Sequence, residues 1–169
     1  MKIFLIGMMG SGKSYWCKII AQQLNLTTFD LDTVIETAAN KSIAQIFEEQ
    51  GEDFFRTTET ESLHSFLNKD NCIVATGGGT PCFNSNMQWM NEHGLTIWLN
   101  EPVEVLAKRL VKEKAHRPLI KNLSDDELSG FLQQKLTERT PFYQQAKLHI
   151  SSNQLSKVNL QQLISSKLS

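Results

Sequence analysis

No stretch of this chain is apolar for long, no two cysteines stand close together, and neither sign of charge predominates. Each absence removes a class of protein. The opening apolar run, residues 3–6, stops at Gly7, too short for a membrane span or the core of a secretion signal. Cys17, Cys72 and Cys82 form an odd, widely spaced set that suits neither a disulfide framework nor a zinc knuckle. A cytoplasmic protein is therefore expected. The 17 basic and 18 acidic side chains are dispersed, with a formal charge of -1, so the chain carries no electrostatic footprint for nucleic acid or an anionic membrane. Four histidines, His64, His93, His116 and His149, fall in separate segments without metal-ligand spacing, and structural or solvent-facing roles are their default.

What is present is the mixture of a globular domain: 169 residues, 40% apolar and 21% charged, enough to bury a core. Apolar runs at residues 3–6 and 72–75 read as buried strands, further strands are expected at 95–99 and near 148–150, and a second short strand ends at Asp30-Leu31-Asp32. Helical spacing follows the first through Trp16, Ile19, Ile20 and Leu24 and recurs at Val34, Ile35 and Ala38. It starts afresh at Ser42 with Gln45 three residues on, and Gly51 divides that helix from the next. Further helices are expected over residues 85–92 and 102–111, through Leu128, Leu132 and Leu136, and at Val158, Leu160, Leu163 and Ile164. Residues 112–126 lose the apolar period and read as a basic, mobile lid. Strand and helix in alternation imply a parallel sheet covered on both faces.

Between the first strand and the first helix lies Gly7-Met8-Met9-Gly10-Ser11-Gly12-Lys13-Ser14. This is the phosphate-loop pattern in the strand-loop-helix context it requires. Glycines let successive backbone N–H groups turn inward as an anion cradle, and the helix aims its positive end at the same phosphates. Lys13 would reach the terminal phosphates of ATP, and the Ser14 hydroxyl would ligate Mg²⁺. Asn68-Lys69-Asp70 lacks the spacer of a guanine-recognition stretch and precedes a strand, which disfavours a GTPase.

The strand at 72–75 ends in Thr76 and glycines, so the carboxylate behind the metal must come from elsewhere. Strand alternation would put Asp30 and Asp32 on one side at the carboxyl edge of the sheet, where open α/β sheets bind ligands. Asp30 is the metal-side candidate, acting through coordinated water. Asp32 is the candidate to orient an acceptor hydroxyl and take its proton, with capping of the next helix as its ordinary alternative.

Of the basic residues only Arg56, Arg109, Arg117 and Arg139 are arginines, and a planar guanidinium suits bidentate recognition of carboxylate or phosphate. Arg56 could equally be an amphipathic-helix residue, Arg109 could lie on an exposed face beside Lys108, and Arg139 could pair with Glu138. Arg117, in the basic loop His116-Arg117-Pro118, is placed to swing over the transferring phosphoryl group.

The phosphate loop, Asp30-x-Asp32, Thr76-Gly77-Gly78-Gly79, Arg117-Pro118-Leu119 and Glu138-Arg139-x-x-x-Tyr143 stand in an order and spacing that resembles the shikimate kinase family over essentially the whole chain. The resemblance implies a P-loop kinase of the α/β class: a three-layer αβα sandwich with a five-stranded parallel sheet in one domain, residues 1–169. It also implies an acceptor-binding helical insertion at about 32–67 and a lid at about 112–126. Asp32, Arg56 and Arg139, with Gly77, Gly78 and Gly79, would bind shikimate. Gly10, Ser11, Gly12, Lys13, Ser14 and Tyr15 would bind ATP, Arg117 would touch its phosphates, and Arg109 would lie beside adenine, near Asn153 and Gln154. Ser14 would ligate Mg²⁺ with Asp30 behind it. The implied reaction is transfer of the ATP γ-phosphate to the shikimate 3-hydroxyl by a monomer, with Lys13, Asp32 and Arg117 as the catalytic set. Tyr15 departs from the family, which commonly has a small hydroxyl residue there. Two rivals remain: a gluconate-type sugar-acid kinase of the same fold, and a catalytically silent nucleotide-binding interaction protein.

Overall fold

The residues of the first strand are apolar on both of its faces, and burial follows. In β1, Lys2–Ile6, Phe4 and Ile6 point to one side of the sheet while Ile3 and Leu5 point to the other, all at 0% exposure. A strand this apolar belongs at the centre of a covered sheet. In the computed structural model, which describes residues 1–114, 119–156, 159, 162–164 and 166, β1 lies between β3, Cys72–Ala75, and β4, Leu95–Leu99. The edges are β2, Thr27–Asp30, and β5, Leu148–Ile150, giving the order β2-β3-β1-β4-β5 with every pairing parallel.

Parallel neighbours need crossovers, and the helices supply them. One face is covered by α1, Lys13–Leu24, through Trp16, Cys17, Ile20 and Ala21, together with Leu155 and Ile164 near the C-terminus. The other carries α2, Leu31–Ala39, α3, Ile43–His64, α4, Asn86–His93, α5, Val103–Val111, and α6, Asp125–Tyr143. The expected three layers and five parallel strands are thus present. Among the described residues no helix is long and apolar enough to cross a membrane.

Helix starts follow local chemistry. Ser42 with Gln45, and Ser124 with Glu127, form reciprocal capping boxes at α3 and α6. Gly51 interrupts α3 with φ 82° and ψ 177°, a conformation open essentially to glycine alone. A short 3-10 turn, Thr80–Cys82, follows the triple glycine.

One expectation needs correction. The second strand stops at Asp30 rather than running through Asp32. The Asp30 carboxylate accepts a hydrogen bond from the Asp32 N–H and caps α2, so Leu31 and Asp32 are already helical. The cap is therefore Asp30, and the two carboxylates are related by a helix start, not by strand alternation. Within residues 112–126, expected to form a lid, Ile120 is wholly buried and Leu123 packs on the same core. A short helix α7, Ser152–Leu155, capped by Ser151 and Gln154, follows β5 directly, ahead of the expected terminal helix, of which Leu163 and Ile164 are helical. Val158 and Leu160, assigned to a terminal helix, lie outside the described residues.

Candidate active site

The connections after β1, β2 and β3 all leave the same edge of the sheet, where Gly7, Asp30 and Thr76 stand. They open into one cavity of about 910 Å³, the size expected of a ligand site. Every described residue assigned from sequence to nucleotide, metal or acceptor lines it, except Ser11, which is wholly buried in the loop, and Gln154. Arg117 lies outside the described residues.

At one end is the phosphate loop. Gly10 and Gly12 take φ 79° and 89°, and a Cβ on Gly10 would meet Leu110 at 2.9 Å, so Gly10 is needed for both space and conformation. Lys13 Nζ donates to the carbonyls of Gly7 and Met8 at 2.8 and 2.9 Å, which fixes the cation across the loop. Ser14 Oγ donates to Asp30 Oδ2 at 2.8 Å. The two are hard oxygen donors side by side, the chemistry that a small divalent cation prefers.

Arg109 does not project from an exposed face. Its Nη1 donates to the Gly10 carbonyl at 3.1 Å, and its Nη2 donates to Glu101 at 3.2 Å and to Ser152 Oγ at 2.8 Å. Ser152 and Asn153 line the cavity beside it, whereas Gln154 is absorbed in capping α7. Tyr15, 64% exposed, also faces this end and packs edge-on against Trp16.

At the other end the acceptor candidates converge on the triple glycine. A Cβ on Gly77 would lie 3.3 Å from Asp32 Oδ1 and 3.0 Å from Glu59 Oε1. One on Gly78 would meet Arg139 Nη1 at 2.9 Å, and one on Gly79 would meet both terminal nitrogens of Arg56 at 2.9 Å. The glycines let two guanidinium groups and two carboxylates approach the main chain together. Burial first, then the charges of Asp30 and Glu59, push the Asp32 carboxyl from its ordinary value up to about 6. Arg139 leaves Glu138 to Lys135 and reaches Met8 Sδ, while buried Tyr143 donates to the Gly78 carbonyl. Burial pushes the Cys82 thiol up to about 11, so it stays protonated and offers no thiolate chemistry.

Glu59 was not apparent from sequence. It is 1% exposed, pairs with Arg56 Nη1 at 2.9 Å and accepts from Thr80 Oγ1. Its signal was available: a carboxylate three residues after an arginine on one helix. Asn84 and Asn86 tie the same helix to the turn after β3 through Thr60 and the carbonyls of Arg56 and Thr80. Arg56 also lies over the Phe83 ring at 4.1 Å and pairs through Nη2 with Glu52 at 3.1 Å, so its plane is held by two ion pairs and an aromatic face.

A family model described as shikimate kinase matches residues 9–168. A shikimate kinase of Phocaeicola vulgatus is 44% identical over 154 residues, covering 91% of this chain and 88% of that protein. The crystal structure of shikimate kinase from Bacteroides thetaiotaomicron superposes with a TM-score of 0.88 at 40% identity, over 99% of this chain and 94% of that one. A shikimate kinase from Acinetobacter baumannii, solved in complex with shikimate, gives 0.86 at 32% identity, over 99% and 95% of the two chains.

Proposed function

The chain belongs to the shikimate kinase family, and on that premise we propose that it transfers the γ-phosphoryl group of ATP to the 3-hydroxyl of shikimate, yielding shikimate 3-phosphate and ADP. The observation that carries the reading is the convergence of Arg56, Arg139 and Asp32 on Gly77, Gly78 and Gly79 in the same cavity as Lys13 and Ser14. A small acid with ring hydroxyls offers a partner for each group.

Arg56 and Arg139 bind the acceptor carboxylate, and Glu59 holds the Arg56 fork in the plane that bidentate pairing needs. Asp32 accepts a hydrogen bond from the attacking hydroxyl and takes its proton as the new O–P bond forms and the γ-phosphorus parts from the ADP oxygen. Its raised affinity for a proton suits that step. The backbone of Gly10, Ser11 and Gly12, with Lys13, cradles the phosphates, and Tyr15 and Arg109 flank the rest of the nucleotide. Arg117 keeps the role that sequence gives it, charge neutralisation on the transferring phosphoryl oxygens. Ser14 and Asp30 fit Mg²⁺, the serine as a direct ligand and the aspartate behind it, and the ion when bound would supply charge stabilisation at the phosphate oxygens.

A coupled assay of ADP release with Mg-ATP, comparing shikimate, gluconate and no acceptor, tests the reading. Shikimate-dependent release that disappears in Asp32→Asn is expected. Release with gluconate alone would overturn the acceptor and keep the kinase, and nucleotide binding without turnover would indicate a silent binding protein.

A further inference from the structure

The nucleotide end contains a buried carboxylate to which neither the sequence pattern nor the proposed mechanism gives a task. Glu101 sits between β4 and α5, is 5% exposed and does not line the cavity. Both of its oxygens are engaged. Oε2 accepts from Arg109 Nη2 at 3.2 Å, and Oε1 accepts from the backbone N–H of Ser152, the first residue of α7. Arg109 completes the arrangement by donating to Ser152 Oγ and to the Gly10 carbonyl. One carboxylate thereby ties together α5, the start of α7 and the phosphate loop, each of which presents residues to the cavity.

A buried carboxylate costs several kcal/mol of desolvation unless its partners compensate, and an apolar residue could bridge two helices at no such cost. What a carboxylate adds is direction. It fixes the rotation of a guanidinium and the position of a backbone N–H at once. Without it Arg109, whose side chain is 37% exposed, would have only the Gly10 carbonyl and Ser152 Oγ to hold it, and the Ser152 N–H would lose its acceptor.

We propose that Glu101 is a positioning residue for the nucleotide, setting the Arg109 guanidinium and the Ser152–Asn153 backbone as the wall against which the base of ATP packs. The inference rests on the kinase reading above. It separates Glu101 from the acceptor-binding and phosphate-binding residues, because its effect falls on nucleotide affinity alone.

The test is ADP binding by calorimetry and steady-state kinetics on Glu101→Gln, an isosteric change that replaces one acceptor oxygen by a donor facing Arg109 or the Ser152 N–H. Kd for ADP and KM for ATP should rise about tenfold, the equivalent of about 1.4 kcal/mol, with KM for shikimate and kcat changed far less. In an Arg109→Ala background the same substitution should add less than it costs alone, since only the Glu101 bond to the Ser152 N–H is then left to lose. Glu101→Asp, too short to reach both partners, gives a second variant should the first not fold. Unchanged ADP affinity, even with a lowered Tm, would overturn the proposal, as would a loss that adds in full to that of Arg109→Ala. The parent enzyme separates the two readings: no turnover of shikimate would defeat the proposed reaction, while ADP affinity would still judge Glu101.

Discussion

Asp32, proposed to take the acceptor's proton, opposes stability when it is ionised. Burial and two neighbouring carboxylates raise its pKa from the ordinary 3.8 to about 6, so the folded protein holds this proton more tightly than the unfolded chain does. The group therefore favours folding fully below about pH 4, and that contribution is lost as pH rises through about 6. At neutral pH the ionised side chain costs on the order of 2–3 kcal/mol. Asp32→Asn should raise Tm at pH 7 in EDTA, with the gain vanishing near pH 4, and should lower turnover at least about 100-fold. A lower Tm at pH 7, measured by calorimetry, would contradict the burial argument. Gly79 tests the other side of the acceptor site. Its φ of -87° is open to any residue, so alanine brings no backbone strain, but the added Cβ would stand 2.9 Å from the Arg56 guanidinium. Gly79→Ala should raise KM for shikimate about tenfold and lower Tm, because the guanidinium that must move is paired with the buried Glu59 carboxylate.

At the scale of elements, the kink in α3 determines where Arg56 points. Gly51 adopts φ 82° and ψ 177°, and a Cβ added there would meet nothing within 4 Å, so the cost of a side chain is conformational alone. Gly51→Ala should destabilise the protein by about 1–3 kcal/mol, read as a lower denaturant midpoint. If the helix relieves strain by straightening, KM for shikimate should rise more than KM for ATP, because Arg56 and Glu59 ride on the segment beyond the kink. This break was legible in the sequence, as were the capping box at Ser42 and the phosphate loop, because each depends on residues within a few positions of one another. The end of β2 was not. Alternation of Asp30 and Asp32 fitted a strand as well as it fitted a capped helix start, and a side-chain hydrogen bond to the Asp32 N–H decides between them. Likewise, Arg109 and Arg139 were open between surface and site roles, because their partners Gly10, Ser152, Met8 and Gly78 lie distant in sequence.

Across the whole molecule, the cavity has two ends built from different parts of the chain. The groups proposed for the nucleotide come from the loop after β1, from α5 and from α7, whereas those proposed for the acceptor come from the start of α2, the second half of α3, the glycines after β3, and α6. The sheet is the main body common to both, and its buried strands give it little freedom to yield. Each ligand should therefore stabilise the protein through its own end. A ligand at one hundred times its Kd adds about 2.7 kcal/mol, which for a chain of this size corresponds to a Tm rise of roughly 5–10 °C. In a thermal-shift experiment Lys13→Ala should lose most of the rise produced by ADP and keep that produced by shikimate, each measured from the variant's own baseline. Arg139→Ala should do the reverse. Loss of both responses in either variant would mean that the two ends form one cooperative unit, and the separation of nucleotide from acceptor residues drawn from the cavity would fail with it.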